Sequence, residues 1–474
     1  MHTDAHGTGS IFGSGCNLVR WAASKALRRF STFPAHRTKL LFVDVRFGEG
    51  GCGNLGVLAL VPPASQFAIW AIGAATIAAI LVRPRGLPEW CSAAIGAALL
   101  VVARLVPLSA AGAAAWDGLD VYLFLAGMLA LSELARFEGV FDWLAGRIVP
   151  AARGSTGLLF AGVYASGIAV TALLSNDGTI LLLTPAVLAA VQRTKIAPLP
   201  FLVACALVAN AASYVLPIAN PANLVLFRVL PTLGPWFVAF GLSALAAIAV
   251  TYVLLFGLFR RDLRRPHEAG NPPLPLSGRG RLAGLLVAIS AALLVTAAAF
   301  GWPVGRTAFL TGGVSLLLMA LADWDCARAV LREGPWSIIP LVAALFVIVA
   351  ALDRSGILNL ARDFFRYASQ LASMPGKLLA GGAVALADNL LNNLPVGVIA
   401  RYSIAAPNVA PHVAHAALVA VDLGPNFSVT GSLATLLWLM TIRRAGVEIT
   451  PLRFFCIGAV VTVPALIAAL LFVS

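Results

Sequence analysis

The chain has 474 residues, of which 60% are hydrophobic and 11% charged, with a formal net charge of +13. Soluble globular proteins carry about 25% charged residues, so this stock cannot make a water-facing surface and excludes a water-soluble globular fold. The basic excess is dispersed in short clusters between apolar runs (Arg83 and Arg85, Arg147 and Arg153, Arg193 and Lys195, Arg443 and Arg444). That pattern orients loops at a membrane and calls for no nucleic acid. The six cysteines (Cys16, Cys52, Cys91, Cys205, Cys326, Cys456) have neither disulfide nor zinc spacing, and no metal site or cofactor is expected. Cys205 and Cys456 read as small buried hydrophobes.

Residues 1–56 are polar and Gly-rich, with an acid-poor basic stretch at 18–37, and read as a basic N-terminal extension from a start misassigned upstream of the first membrane run, with a targeting segment or a cytoplasmic tail as the alternatives. Residues 57–259 form a first transmembrane half, with apolar runs near 57–82, 91–108, 118–135, 156–174, 179–191, 199–218 and 236–259. Residues 260–281 are a basic, Pro-rich loop with six arginines, placed in the cytoplasm. Residues 282–474 form a second half, with runs near 282–300, 304–322, 336–352, 378–400, 411–425, 432–442 and 452–473. The expected fold is an all-α polytopic membrane protein with about ten to twelve transmembrane helices.

Several runs are too short to cross alone and flank polar interruptions at 175–177, 218–223, 389–395 and 424–432. These interruptions repeat. Gly139 and Gly356 lie 217 residues apart, Asn176–Asp177 and Asn392–Asn393 lie 216 apart, and Asn210 and Asp422 lie 212 apart. The offset of 212 also pairs Asn220 with Ser432 and Asn223 with Thr435. Two repeated halves with re-entrant hairpins and broken helices are the usual build of a secondary transporter, whose solute binds near the midplane at exposed helix ends.

In Ser175-Asn-Asp-Gly-Thr179, Asn, Asp and Gly suit a tight reversal. Asn392-Asn-Leu-Pro395 pairs two amides with a helix-starting proline. The expected substrate-binding residues are Asn176, Gly178, Thr179, Asn220, Asn223, Asn392, Asn393, Gly431, Ser432 and Thr435. Ionisable groups at membrane depth are costly and functional as a rule, which makes Asp177 and Asp422 the proton-coupling candidates, with Asp388 a weaker one. Glu133 and Asp120 are placed near a membrane surface, and Arg104, inside an apolar run, is read as snorkelling or ion-paired. None of the four interruptions contains Lys or Arg. Their amide-rich lining suits a small neutral hydroxy-acid that donates and accepts hydrogen bonds, or a cation held by carbonyls and carboxylates.

Ser175-Asn-Asp-Gly-Thr179…Thr184-Pro185 resembles the Asn-Asp-Gly…Thr-Pro motif of the arsenical pump membrane protein family, the ArsB-type arsenite permeases. Asp422-Leu-Gly-Pro…Thr430-Gly-Ser-Leu-Ala-Thr-Leu-Leu-Trp438 and Asn392-Asn-Leu-Pro395 are similar to further motifs of that family, and the resemblance spans about residues 66–473. It implies membership of the ion transporter superfamily and export of arsenite or antimonite across the inner membrane in exchange for protons. It also leaves room for a separate soluble ATPase subunit, because this chain has no nucleotide-binding motif of its own. Where family members carry an Asp in the first broken helix, this chain has Asn210. Alternative expectations are a relative carrying a carboxylate or oxyanion with sodium, an Na+/H+ antiporter, or a channel subunit driven by that ATPase.

Overall fold

Leu-, Ala- and Val-rich runs in hydrocarbon must satisfy their backbone internally, and every regular element among the described residues is accordingly helical. The computed structural model describes residues 64–227, 230–267 and 275–474. The extension expected at 1–56 lies outside them.

Helices α1 (Ala64–Val82), α2 (Glu89–Val102) and α3 (Leu108–Asp117) lead into α4 (Leu119–Phe137) and the short α5 (Val140–Ala151). A hairpin follows: α6 (Thr156–Leu174) and a returning arm, α7, that begins at Asn176, passes through a π-turn at Thr179–Leu183 and ends with Thr184–Gln192. A helix broken in its middle comes next, α8 (Leu199–Ala211) and α9 (Pro221–Leu226), and then the long α10 (Leu233–Leu258). After the basic loop, α11 (Gly278–Phe300), α12 (Val304–Ala322) and α13 (Trp324–Glu333) open the second half. That half repeats the order of the first. It has α14 (Ile338–Arg354), the short α15 (Leu358–Gln370), a hairpin of α16 (Ser373–Leu391) and α17 (Asn393–Ile404), a broken helix of α18 (Pro411–Leu423) and α19 (Leu433–Arg444), and α20 (Pro451–Phe472).

Side-chain caps fix the starts of several of these helices. Ser155 accepts from the Leu158 N–H, Ser277 from Gly280, Asp323 from Asp325 and Cys326, and Thr450 from Arg453. Among the described residues, seven helical segments are long and apolar enough to cross a bilayer, or eight if α3 and α4, bent by 49° at Gly118, count as one. The remaining membrane-depth pieces are the short arms of the hairpins and broken helices. The perimeter is apolar, with Val238, Leu242 and Leu245 on α10 and Leu321 on α12 turned outward. Exposure of large aliphatic side chains over whole helices is the mark of a lipid-facing surface.

Two opposite ends of the bundle can be told apart. At one end the first hairpin starts beside the basic loop: the Thr156 hydroxyl donates to the Arg265 carbonyl, the His267 N–H donates to the Gly154 carbonyl (3.0 Å), and Arg279 pairs with Asp323. At the other end the second hairpin starts beside the C-terminus. There Lys377 donates to the Val473 carbonyl, and the Ser474 N–H donates to Ala239 at the start of α10 (3.2 Å). The hairpins therefore enter from opposite ends.

Helices α4 and α12 run parallel with their backbones touching. A methyl group on Gly127 would fall 2.0 Å from the Ala308 carbonyl oxygen, and one on Gly312 would fall 2.6 Å from that of Gly127. Small residues are what permit such an approach in a membrane. Two expectations are corrected. Arg104 is not inside a span: it sits exposed, with φ 54°, in the turn after α2. Cys456 faces outward from α20, whereas Cys205 is buried as expected, because the register of α20 turns its Phe454 and Ile457 inward instead.

Candidate functional site

The reversal of each hairpin falls on a single residue. Ser175 has φ 111° and ψ 159°, and Asn392 has φ 74° and ψ 150°. Side chains other than glycine rarely occupy this region, at a cost of about 1–3 kcal/mol. The tight turn expected at Asn176, Asp177 and Gly178 is thus displaced by one residue: these three are already helical, with Gly178 at φ −58°. The side chains of the tip residues repay part of the strain as caps. Ser175 Oγ accepts from the Gly178 N–H (3.4 Å) and Asn392 Oδ1 from the Leu394 N–H (3.3 Å).

Each returning arm then docks against the broken helix of its own half in the same way. The Asn176 N–H donates to the Ala219 carbonyl at 3.1 Å, and the Asn393 N–H donates to the Gly431 carbonyl at 3.1 Å. The acceptors directly precede Asn220 and Ser432, which cap α9 and α19 by accepting from Ala222 (3.0 Å) and Ala434 (3.2 Å). Asn220 and Ser432 share an extended backbone, φ −146° and −140°. Within each half, two helix starts come to lie side by side, and their free N–H groups favour electron-rich partners.

The two breaks also meet. The Asn220 amide donates to Asp422 Oδ1, the Asn210 amide donates to Asn426 Oδ1 at 2.9 Å, and the Asn426 amide donates to the Leu207 carbonyl at 3.0 Å. All four side chains are buried. A chain of contacts therefore runs from the first hairpin tip through both breaks to the second. Asn223 sits inside the first break, its amide holding the carbonyls of Ser213 (3.1 Å) and Pro217 (3.3 Å). That break is longer than expected, running from Ala212 to Asn220, since those carbonyls leave the helical ladder to meet Asn223. The Oδ1 atoms of Asn210 and Asn223, Asp422 Oδ2 and the Thr435 hydroxyl are buried and make no hydrogen bond among the described residues. Polar atoms in that condition are the ones a bound solute or water would satisfy.

The other expected residues have separate settings. The Thr179 hydroxyl meets that of Thr171 at 2.8 Å and ties the arms of the first hairpin together. Gly178 lies against Ser132 of α4, and Gly431 packs where a methyl group would fall 2.6 Å from Pro425 Cα. Asp177 is half-buried beside Asn176 and stands outside the bonded set that joins the breaks. Asn389 and Asn426 were not anticipated. The Asn389 amide donates to the Gly424 carbonyl (2.9 Å), its Oδ1 accepts from Ser428 (2.6 Å), and its backbone carbonyl accepts from Thr430 (3.0 Å). Asn389 thereby joins the second hairpin to the second break; its position one helical turn before Asn392 was the available signal.

A cavity of about 710 Å³ opens near the entry of the second hairpin, lined by Arg362, Arg366, Arg401 and Tyr402 among others. Each guanidinium is paired: Arg362 with Asp353, Arg366 with Asp363 (3.0 Å) and Arg401 with Asp117 (2.6 Å).

Residues 71–443 match the CitMHS citrate transporter family. An arsenical pump membrane protein of Escherichia coli is 27% identical over 411 residues, covering 83% of this chain and 95% of that protein. One of Yersinia enterocolitica is 28% identical over 420 residues, with coverages of 83% and 95%. A putative arsenical pump membrane protein of Bacillus subtilis is 24% identical over 403 residues, with coverages of 78% and 90%. These similarities agree with the resemblance read from the motifs. The YdaH transporter of Alcanivorax borkumensis has a similar fold, with a TM-score of 0.54, 16% identity, and coverage of 87% of this chain and 98% of that one.

Proposed function

The chain belongs to the CitMHS citrate transporter family, and from that premise we propose that it is a secondary transporter of the inner membrane that exports arsenite and antimonite in exchange for protons. That it is a multi-pass membrane transporter follows from the family and from the apolar helices. The observation that carries the finer reading is the lining: buried amides of Asn210, Asn220, Asn223 and Asn426 around one carboxyl, Asp422, with no Lys or Arg in either break. Amides both donate and accept, which suits a neutral trihydroxy solute such as As(OH)₃. A carboxyl that exchanges a proton supplies the coupling. The relatives named arsenical pump membrane proteins support the same substrate.

Direction follows from charge. Arg153, the four arginines of 260–265 and Arg279 lie at the end where the first hairpin enters, against Arg362, Arg366, Lys377 and Arg401 near the entry of the second, so the first end is read as cytoplasmic. In everted vesicles export therefore reads as uptake. With an imposed proton gradient and no ATP, labelled arsenite should accumulate and antimonite should compete with it. No accumulation by folded protein under any proton gradient would overturn this reading, and dependence on an added ATPase would support the channel-subunit alternative.

A second reading, a carboxylate carrier, is favoured by the family's citrate transporters and by the arginine-lined cavity. Sodium-dependent citrate uptake, with arsenite inert, would decide for it.

A further inference from the structure

Asp388 lies on α16, one turn before the hairpin tip. It is fully buried, and neither carboxyl oxygen has a hydrogen-bond partner among the described residues. The chain just after α18 passes directly over it, so that a methyl group on Gly424 would fall 2.7 Å from Asp388 Oδ2. Gly424 is two residues beyond Asp422, whose own Oδ2 is also unpartnered. Helices α16 and α20 are antiparallel, with Gly381 against Leu470. Two turns along that register, Asp388 reaches the level of Thr462, another buried group with an unpartnered hydroxyl.

Among the described residues, no Lys, Arg or His bonds either carboxyl. On the packed elements, α15 carries Arg362, Asp363 and Arg366, whose guanidiniums pair with Asp353 and Asp363; Lys377 opens α16, Arg401 closes α17 and pairs with Asp117, His412 and His415 open α18, and Arg453 opens α20. Lys377 lies about three turns before Asp388 on α16 and His415 about two turns before Asp422 on α18, both toward the end where the second hairpin enters. A bare carboxylate cannot persist in dry surroundings without donors or a counter-charge, and a second buried carboxyl nearby adds to that cost.

We propose that Asp388 acts with Asp422 as a second proton-carrying residue of the transport cycle. The proton binds a carboxylate oxygen of the pair from the outer side and leaves to cytoplasmic water when the second break opens inward, with arsenite moving the other way. This rests on the proton-coupled reading above. The chemistry of the site itself does not depend on which solute moves.

The test therefore has two arms. Infrared difference spectra of the purified full chain in lipid should show the C=O stretch of a protonated carboxylic acid at neutral pH, shifting in D₂O. Asp388→Asn and Asp422→Asn should each remove it, and Asp388→Glu should retain it at an altered frequency, which also guards against a variant that fails to fold. In vesicles, Asp388→Asn should keep arsenite counterflow but lose stimulation by the proton gradient. An undiminished band in Asp388→Asn, or full gradient-driven uptake by that variant, would overturn the assignment. So would a wild-type band that appears only when sodium is replaced by choline, which would mark a metal-cation site. If the wild type moves no arsenite at all, the transport reading fails while the infrared arm still decides the site.

Discussion

Asn220 donates its side-chain amide to Asp422, 202 residues further along the chain, and so links the two broken helices through their own interruptions. Each residue comes from the middle of a different half, at a depth where water does not compete for the bond. Asn220→Ala should leave Asp422 without that donor and lower stability by about 1–3 kcal/mol. Asp422→Asn, which keeps an acceptor for Asn220, should unfold nearly as the wild type does. Thermal unfolding in detergent of the two variants side by side checks the difference.

Ser175 and Asn392 hold backbone conformations that glycine adopts without penalty. Ser175→Gly and Asn392→Gly should each relieve part of about 1–3 kcal/mol of strain, while losing a cap costs a few tenths of a kcal/mol when glycine replaces it. Both variants are expected to melt higher than the wild type and to transport more slowly, since a looser tip positions the returning arm less well. Melting temperature and initial uptake rate, measured on the same preparation, should move in opposite directions.

Arg401 pairs with Asp117, donates to the Val225 carbonyl and stands 5.4 Å from the Phe346 ring centroid. Arg401→Ala should destabilise the protein by about 3 kcal/mol. Arg401→Lys should recover little of this, because an ammonium lacks the planar fork that serves all three partners. Proteolysis rates in detergent would report both.

Gly127→Ala forces a methyl group onto the Ala308 carbonyl. Overpacking of this kind costs about 1–3 kcal/mol. Gly313→Ala, one residue past Gly312 on open surface, should be neutral. Yield of folded protein after extraction separates the pair.

The repeat, the hairpins and the second break were legible because polar residues at membrane depth stand out against Leu and Ala: Asn392, Asn393 and Gly431 to Thr435 could be read directly. The start of the first break was not, since Ala212-Ser-Tyr-Val-Leu216 holds no Gly, Pro, Asn or Asp to mark it; the carbonyls freed there are claimed by Asn223, which only the folded chain reveals. Ser175 was overshadowed by the stronger turn formers after it. The partnership of Asn426 with Asn210 spans 216 residues and has no local signature. Asp388 could be seen as a buried acid, but its nearness to Asp422 depends on how α16 packs under Gly424.

The glycine seam between α4 and α12 decides which parts of the molecule are free to move. Backbones in direct contact have no side chains between them to change rotamer, so neither helix can slide along the other without driving a carbonyl into a neighbouring Cα. The two act as a fixed post. Whatever motion turns Asp422 first to one side of the membrane and then to the other is left to the hairpins and half-helices, swinging against that post like paired doors on one jamb.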